Sequence, residues 1–132
     1  MVDDIMLIKD VRKCRFFTSR DNTVLCELLH PAREDVGITQ SIAYAVLKPG
    51  DASLRHRLRK SSEIYFILEG EGVMHIDIES EAVHKNQAVF IPPRSWQYIQ
   101  NTGTADLKFL CIVNPSWNED DEEIYDPKGV NA

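Results

Sequence analysis

The chain has no long apolar run, no surplus of positive charge, and little cysteine or glycine, and each shortage narrows what it can be. No stretch approaches the roughly 20 apolar residues of a membrane span, so no membrane partner is expected. The 15 Lys and Arg are outnumbered by 21 Asp and Glu, for a formal net charge of −6. That balance argues against nonspecific nucleic-acid binding. The three cysteines, Cys14, Cys26 and Cys111, are an odd number with no C-x-x-C pair, which favours free thiols and a cytoplasmic location. Cys26 and Cys111 sit in apolar runs, where a small buried side chain is the default reading. The opening MVDDIMLIKD is acidic and has no basic n-region, unlike a secretory signal. There is no phosphate-cradling glycine loop. No Ser/His/Asp or Cys/His arrangement follows from the spacing.

What is present is an ordinary globular balance, 43% hydrophobic and 27% charged over 132 residues, the size of one domain. Short apolar runs separated by turn residues, with no helical period, predict an all-β sandwich or barrel. Strands are expected at residues 5–13, 16–18, 23–29, 41–47, 63–68, 73–78, 88–91, 96–100 and 107–113, with turns at 19–22 and 79–82. In the strand 73–78, Met74 and Ile76 are expected inside and His75 outside. His30, before Pro31, and His84 read as structural or surface residues. Residues 1–114 form the expected domain, and 115–132 an acidic tail.

The most informative stretch is Gly50 to Gly70, GDASLRHRLRKSSEIYFILEG. Residues 56 and 58 are two apart on a strand and face the same side. The polar break Arg59-Lys60-Ser61-Ser62 can turn the chain. Glu63 then opens a run, Ile64 to Leu68, that is apolar on both faces, as in a strand buried on both sides. A carboxylate at that position needs a cation, a hydrogen-bond donor or a proton, and His56, across the short connection, could share a metal with it.

The spacing of Gly50, His56, Glu63 and Gly70 resembles the first signature motif of the cupin superfamily. That motif carries a second His where this chain has Leu58. Asn86 to Asn101 resembles the second motif. Its Pro is matched by Pro92 and its final Asn by Asn101, but its two Gly and its His are replaced by Asn86, Arg94 and Gln97. The resemblance implies a cupin-type double-stranded β-helix (jelly-roll) barrel. It also implies a homodimer, in which an N-terminal strand often pairs with the partner subunit.

A typical cupin site holds a divalent metal through three His and one Glu. Carried over residue by residue, this chain offers His56, Glu63 and Gln97, with Leu58, Tyr65, Ile67 and Ile99 as pocket lining or plain core. A His/Glu/Gln set suits Zn, Mn, Fe or Ni with water in the open positions, yet fewer and weaker ligands equally favour an empty site. Without metal, His56 could simply hydrogen-bond Glu63, and Gln97 could complete a polar network. Two function classes therefore stand side by side. One is a metal-dependent isomerase, dioxygenase or cyclase acting on a small organic ligand. The other is a non-catalytic small-molecule binding or sensing module with a metal-free lumen. The metal-independent sugar epimerases of the superfamily need a His/Asp pair and a lumen Tyr, for which only His56 and Tyr65 are candidates.

Strand parity that turns His56 and Leu58 inward turns Arg55, Arg57 and Arg59 outward, and the resemblance, which sets the two motif strands side by side, implies that Trp96 and Tyr98 face out next to them. The acids and aromatics of the tail complement that face. The tail is expected to fold back over the barrel, in its own subunit or its partner's, with Trp117 as its anchor and its acids near Arg55, Arg57 and Arg59.

Overall fold

A computed structural model describes residues 6–128 of the chain. Eleven strands are present: β1 (Phe17–Thr18), β2 (Val24–Leu29), β3 (Ser41–Leu47), β4 (His56–Leu58), β5 (Ser62–Glu69), β6 (Glu71–Ile76), β7 (Glu79–His84), β8 (Ala88–Ile91), β9 (Gln97–Asn101), β10 (Leu107–Asn114) and β11 (Glu122–Ile124). Among the described residues the only helical segments are two single 3₁₀ turns, Val11–Lys13 and Glu119–Asp121. The strands form two antiparallel sheets, one ordered β1-β2-β3-β10-β5-β8 and the other β11-β4-β9-β6-β7. This is the all-β, jelly-roll barrel that the motif spacing implied.

Alternation sets which side chains enter the barrel. On β10, Leu107, Phe109, Cys111 and Val113 are buried, while the residues between them are half-buried on the outer face. On β5 the inward set is Glu63, Tyr65 and Ile67. The two sheets close over a core that includes Ile67, Ile91, Ile99, Leu107 and Phe109. Burying each such side chain contributes roughly 1.5–3 kcal/mol. Gly70 makes the β5–β6 turn at φ +88, and a Cβ there would stand 2.6 Å from the Asp106 carbonyl oxygen.

The segment after residue 114 belongs to the sheet structure. β11 pairs with β4 in the register Glu122↔Leu58, Glu123↔Arg57 and Ile124↔His56. β4 meets its other neighbour, β9, through the single pair His56↔Gln97. A three-residue strand so thinly paired on one side takes most of its ladder from the tail. The connection to β11 is tied down as well. The Ser116 N–H donates to the Thr39 carbonyl at 2.8 Å, the Trp117 N–H to Ser41 Oγ at 2.9 Å, and His30 Nε2 to the Trp117 carbonyl at 2.8 Å.

Two strand expectations need correction. The N-terminal strand expected over residues 5–13 is not formed: residues 6–10 are irregular and Val11–Lys13 is a 3₁₀ turn capped by the Asp10 side chain. Residue 5 lies outside the described residues. An apolar run without a neighbour to pair with has nothing to hold it as a strand. Residues 79–82, expected as a turn, open β7. The turn is instead the two residues Asp77-Ile78, with Asp77 at φ 52. An acidic edge strand of this kind reads as a loop by composition.

Candidate functional site

Parity and pairing bring His56, Glu63 and Gln97 together inside the barrel, each at least nine-tenths buried. His56 enters from β4 and Gln97 from its register partner on β9. Gln97 Nε2 donates to Glu63 Oε1 at 2.9 Å. The other amide atom, Gln97 Oε1, is buried without a hydrogen-bond partner. Leu58 and Tyr65 line the adjoining cavity. Ile67 and Ile99 do not; they lie in the hydrophobic core, because the inward row of each strand runs on past the cavity into the packed end of the barrel.

Two acids that spacing did not single out complete the wall. Asp21, in the β1–β2 turn, places Oδ2 3.3 Å from His56 Nε2. Its other oxygen is engaged within the turn, accepting from the Thr23 N–H at 3.1 Å and from the Ser19 hydroxyl. Glu122, on β11, faces the same point, and one ligating atom from each of Asp21, His56 and Glu122 falls within 4.8 Å of the others. Arg20 NH1 lies 3.5 Å from Glu122 Oε1. Asp21 was legible only as a turn residue, and Glu122 is one of several acids in a run whose strand parity cannot be set without the pairing to β4.

His56 Nδ1 stands 2.7 Å from the Leu54 carbonyl oxygen. A carbonyl can only accept, so the proton sits on Nδ1 and Nε2 faces the acids. An imidazole lone pair against a carboxylate oxygen at 3.3 Å is repulsive unless a proton or a cation lies between them. Burial disfavours the charged imidazole, but the Asp21 and Glu63 carboxylates outweigh it and raise His56 above its usual range. Burial pushes Glu63 up to about 7, opposed by His56 and by the Gln97 hydrogen bond. Burial likewise raises Glu122. The Tyr65 phenol is raised well above its usual value, by burial first and then by Glu63, so it remains a hydrogen-bond donor.

The cavity in front of this wall has a volume of about 230 Å³, below the roughly 300–1,000 Å³ usual for drug-sized ligands. Leu25, Phe109 and Cys111 give it apolar sides, and Arg33 and Trp117 reach it as well. Imidazole and carboxylate donors suit a divalent cation of the Zn, Mn, Fe or Ni kind, and an unpartnered buried amide oxygen nearby leaves room for a further polar contact. The residues fit a metal.

On the outer face of the five-stranded sheet, Arg57 lies over the Trp96 ring at 4.4 Å and Arg55 over the rings of Tyr98 and Tyr125 at 5.7 and 5.3 Å. His75 is on this outer side, stacked on Tyr98 at 4.1 Å. The tail docks here through Glu123, whose carboxylate meets Arg57 at 2.7 Å and Arg59 at 3.3 Å. The aromatic packed against Trp96 is Tyr125; Trp117, the expected anchor, sits at the cavity instead.

Residues 43–113 match the Cupin domain family. The chain is 38% identical over 114 residues to an uncharacterised protein of Methanocaldococcus jannaschii, covering 86% of this chain and 90% of that one. It is 34% identical over 67 residues to the oxalate-binding protein of Thermotoga maritima, covering 51% of this chain and 55% of that one. Among solved structures it is similar to a "predicted oxalate decarboxylase" of Thermotoga maritima, with a TM-score of 0.72 at 23% identity over 83% of this chain and 99% of that one. With its two-sheet barrel and the family match spanning more than half its length, the chain belongs to the cupin family.

Proposed function

We propose that the barrel lumen binds a small organic ligand together with a divalent metal, and that the bound ligand undergoes proton transfer at the carboxyl wall. The reaction class this favours is isomerisation or cyclisation. The observation that carries the reading is a cavity of about 230 Å³ with Asp21, His56, Glu63 and Glu122 all lining it. Four buried titratable side chains gathered on one wall are costly to maintain without use. A bound metal would act as a Lewis acid on a ligand oxygen. Glu63, which burial raises to about 7 in the metal-free chain, suits proton exchange with the ligand. Gln97 orients it through the 2.9 Å hydrogen bond. Tyr65 offers a phenol donor and Leu58 an apolar floor.

The ligand class that fits is a small oxygen-rich anion. The carboxylates alone repel it; a bound cation, with Arg33 also at the cavity, gives it partners. The name of the Thermotoga oxalate-binding relative supports that choice. Elemental analysis of untagged protein, with mass spectrometry of small molecules released on denaturation, tests the reading. A divalent metal near one per chain with a retained carboxylate supports it. Metal-free protein with an empty lumen, and no uptake of either when supplied, counts against it.

One observation favours a second reading. The Asp21–His56 pair and Tyr65 in the lumen supply the groups a metal-free acid–base epimerase needs, and turnover that survives chelation would select it. A lumen that binds ligand without turning it over would place the protein among binding or sensing modules. We also propose that a second copy of the chain covers the outer face of the six-stranded sheet. There Phe90, Ile64, Ile112 and Ile42 stand in direct register across four strands, with Phe90 61% exposed.

A further inference from the structure

Both motif comparisons point to His56, Glu63 and Gln97 as the cation's ligands. The side-chain geometry divides those three differently. Glu63 Oε1 and Gln97 Nε2 are engaged with each other. His56 has its Nδ1 proton committed to the Leu54 carbonyl and turns Nε2 toward Asp21 and Glu122. Asp21 has one oxygen satisfied inside its own turn and the other aimed at His56. Each group thus presents a single ligating atom to the same point. We infer that the divalent cation is held by Asp21, His56 and Glu122, with two of its three ligands lying outside the segment that matches the family and one supplied by the C-terminal strand β11.

Three arguments carry this. The first is charge. Asp21, Glu63 and Glu122 face a single imidazole in the buried wall, and Arg20, 38% exposed at the side chain, reaches Glu122 only at 3.5 Å. Buried carboxylates in that excess are held either by protons or by a compensating cation, and one divalent ion serves the whole group. The second is the imidazole. Nδ1–H on a backbone carbonyl with Nε2 turned to the carboxylates is the arrangement of a metal-ligating histidine held by its outer partner. The third is Gln97, more than nine-tenths buried, whose Oε1 has no partner in the protein. Its register partner is His56, and a cation-bound water is a natural donor for it.

The position of Glu122 makes the tail part of the site. Glu123 faces outward to Arg57 and Arg59 while Glu122 faces in, so strand parity assigns the two adjacent acids to two jobs. Docking β11 against β4 delivers the ligand.

This rests on the metal reading proposed above, and the test separates the two. Chelator-stripped protein is titrated with Zn²⁺ against a chromophoric competitor, for the parent chain and for Glu122→Gln, Asp21→Asn, Glu123→Gln and Gln97→Met. Since losing even an outer-shell partner costs roughly 10–100-fold in metal affinity, Glu122→Gln and Asp21→Asn are each expected to weaken Zn²⁺ by at least about tenfold. Glu123→Gln, which removes the same charge one residue away, should stay within a few-fold of the parent, and Gln97→Met, which removes only an acceptor for a cation-bound water, should cost less than either ligand loss. If Gln97→Met loses affinity and Glu122→Gln does not, the ligands are those of the motif and the inference is overturned while the metal reading stands. If the parent chain binds no Zn²⁺, the metal reading itself falls. Far-ultraviolet circular dichroism and melting temperature of each variant identify a lost fold, and a folded Asp21→Asn suffices for the test should Glu122→Gln not dock its tail.

Discussion

His56 Nε2 stands 3.3 Å from Asp21 Oδ2, and because Nδ1 already donates to the Leu54 carbonyl, that short gap must hold either a proton or a metal ion. The two occupants give opposite responses to pH: protons stabilise the first arrangement and compete with the second.

For the metal-free protein, stability should fall as pH rises through the weakly acidic range. Glu63 has its ordinary value of 4.5 raised to about 7 in the folded chain. Between those values the folded state binds more protons than the unfolded chain, so its contribution is greatest below about 4.5 and is lost as pH approaches and passes 7. His56 acts in the same sense: raised above 6.5 by Asp21 and Glu63 against the cost of burial, its contribution is full below 6.5 and lost as pH climbs through the raised value. The swing from Glu63 alone is about 3 kcal/mol. Melting temperature against pH in the presence of chelator reads it, and Glu63→Gln should flatten the decline. A parent protein that gains stability from pH 5 to pH 7 would refute this charge state.

Arg57→Ala should destabilise the chain by about 1–3 kcal/mol, because it strips the nearest donor from the buried Glu123 carboxylate. Arg59 remains at 3.3 Å and moderates the loss. The same change removes the cation over Trp96, so urea titration followed by tryptophan emission should show both a lower midpoint and an altered native spectrum. Arg57→Lys should recover only part of the stability, since an ammonium does not reproduce the planar guanidinium. No loss of stability in Arg57→Ala would show the tail is not held through this pair.

Gly72→Ala should be more damaging than an ordinary strand substitution. A Cβ at Gly72 would lie 2.2 Å from the Gln100 carbonyl oxygen and 3.1 Å from Leu107, so β6 and β9 would have to part. A loss of about 1–3 kcal/mol is expected from overpacking of this kind, measured by chemical denaturation. A neutral result would mean the two strands are spaced more widely than described.

How much of this could be read from the sequence divides along physical lines. Side-chain period on β4 and β5 placed His56, Leu58, Glu63 and Tyr65 inward without any structure, because a two-residue repeat is a local property. It also placed the arginines of β4 outward; their place beside Trp96 came from the resemblance, which sets the two motif strands side by side. Asp21 and Glu122 are different. Their approach to His56 depends on a hairpin folding over one edge of the lumen and on a tail strand adding to β4, and both are non-local pairings. In Glu119-Asp120-Asp121-Glu122-Glu123 every residue is acidic, so composition cannot say which one turns inward. The misread strand at residues 5–13 failed for the same reason: an apolar run becomes a strand only where a neighbour is present to pair with it.

The second-copy proposal is checked by sedimentation equilibrium. Parent protein should be a dimer, and Ile64→Glu with Phe90→Glu should be a folded monomer, since both side chains lie in the exposed apolar row. A monomeric parent would remove the proposal.

The most direct test of the lumen as a metal and ligand site is anomalous diffraction from crystals grown with Mn²⁺ and a small dicarboxylate. One strong anomalous peak per chain is expected inside the barrel, in direct coordination contact with a His56 nitrogen and carboxylate oxygens, with the dicarboxylate's density beside it in the cavity. Mn²⁺ peaks confined to the surface, with Asp21 and His56 still in direct contact and the cavity filled by water, would contradict it.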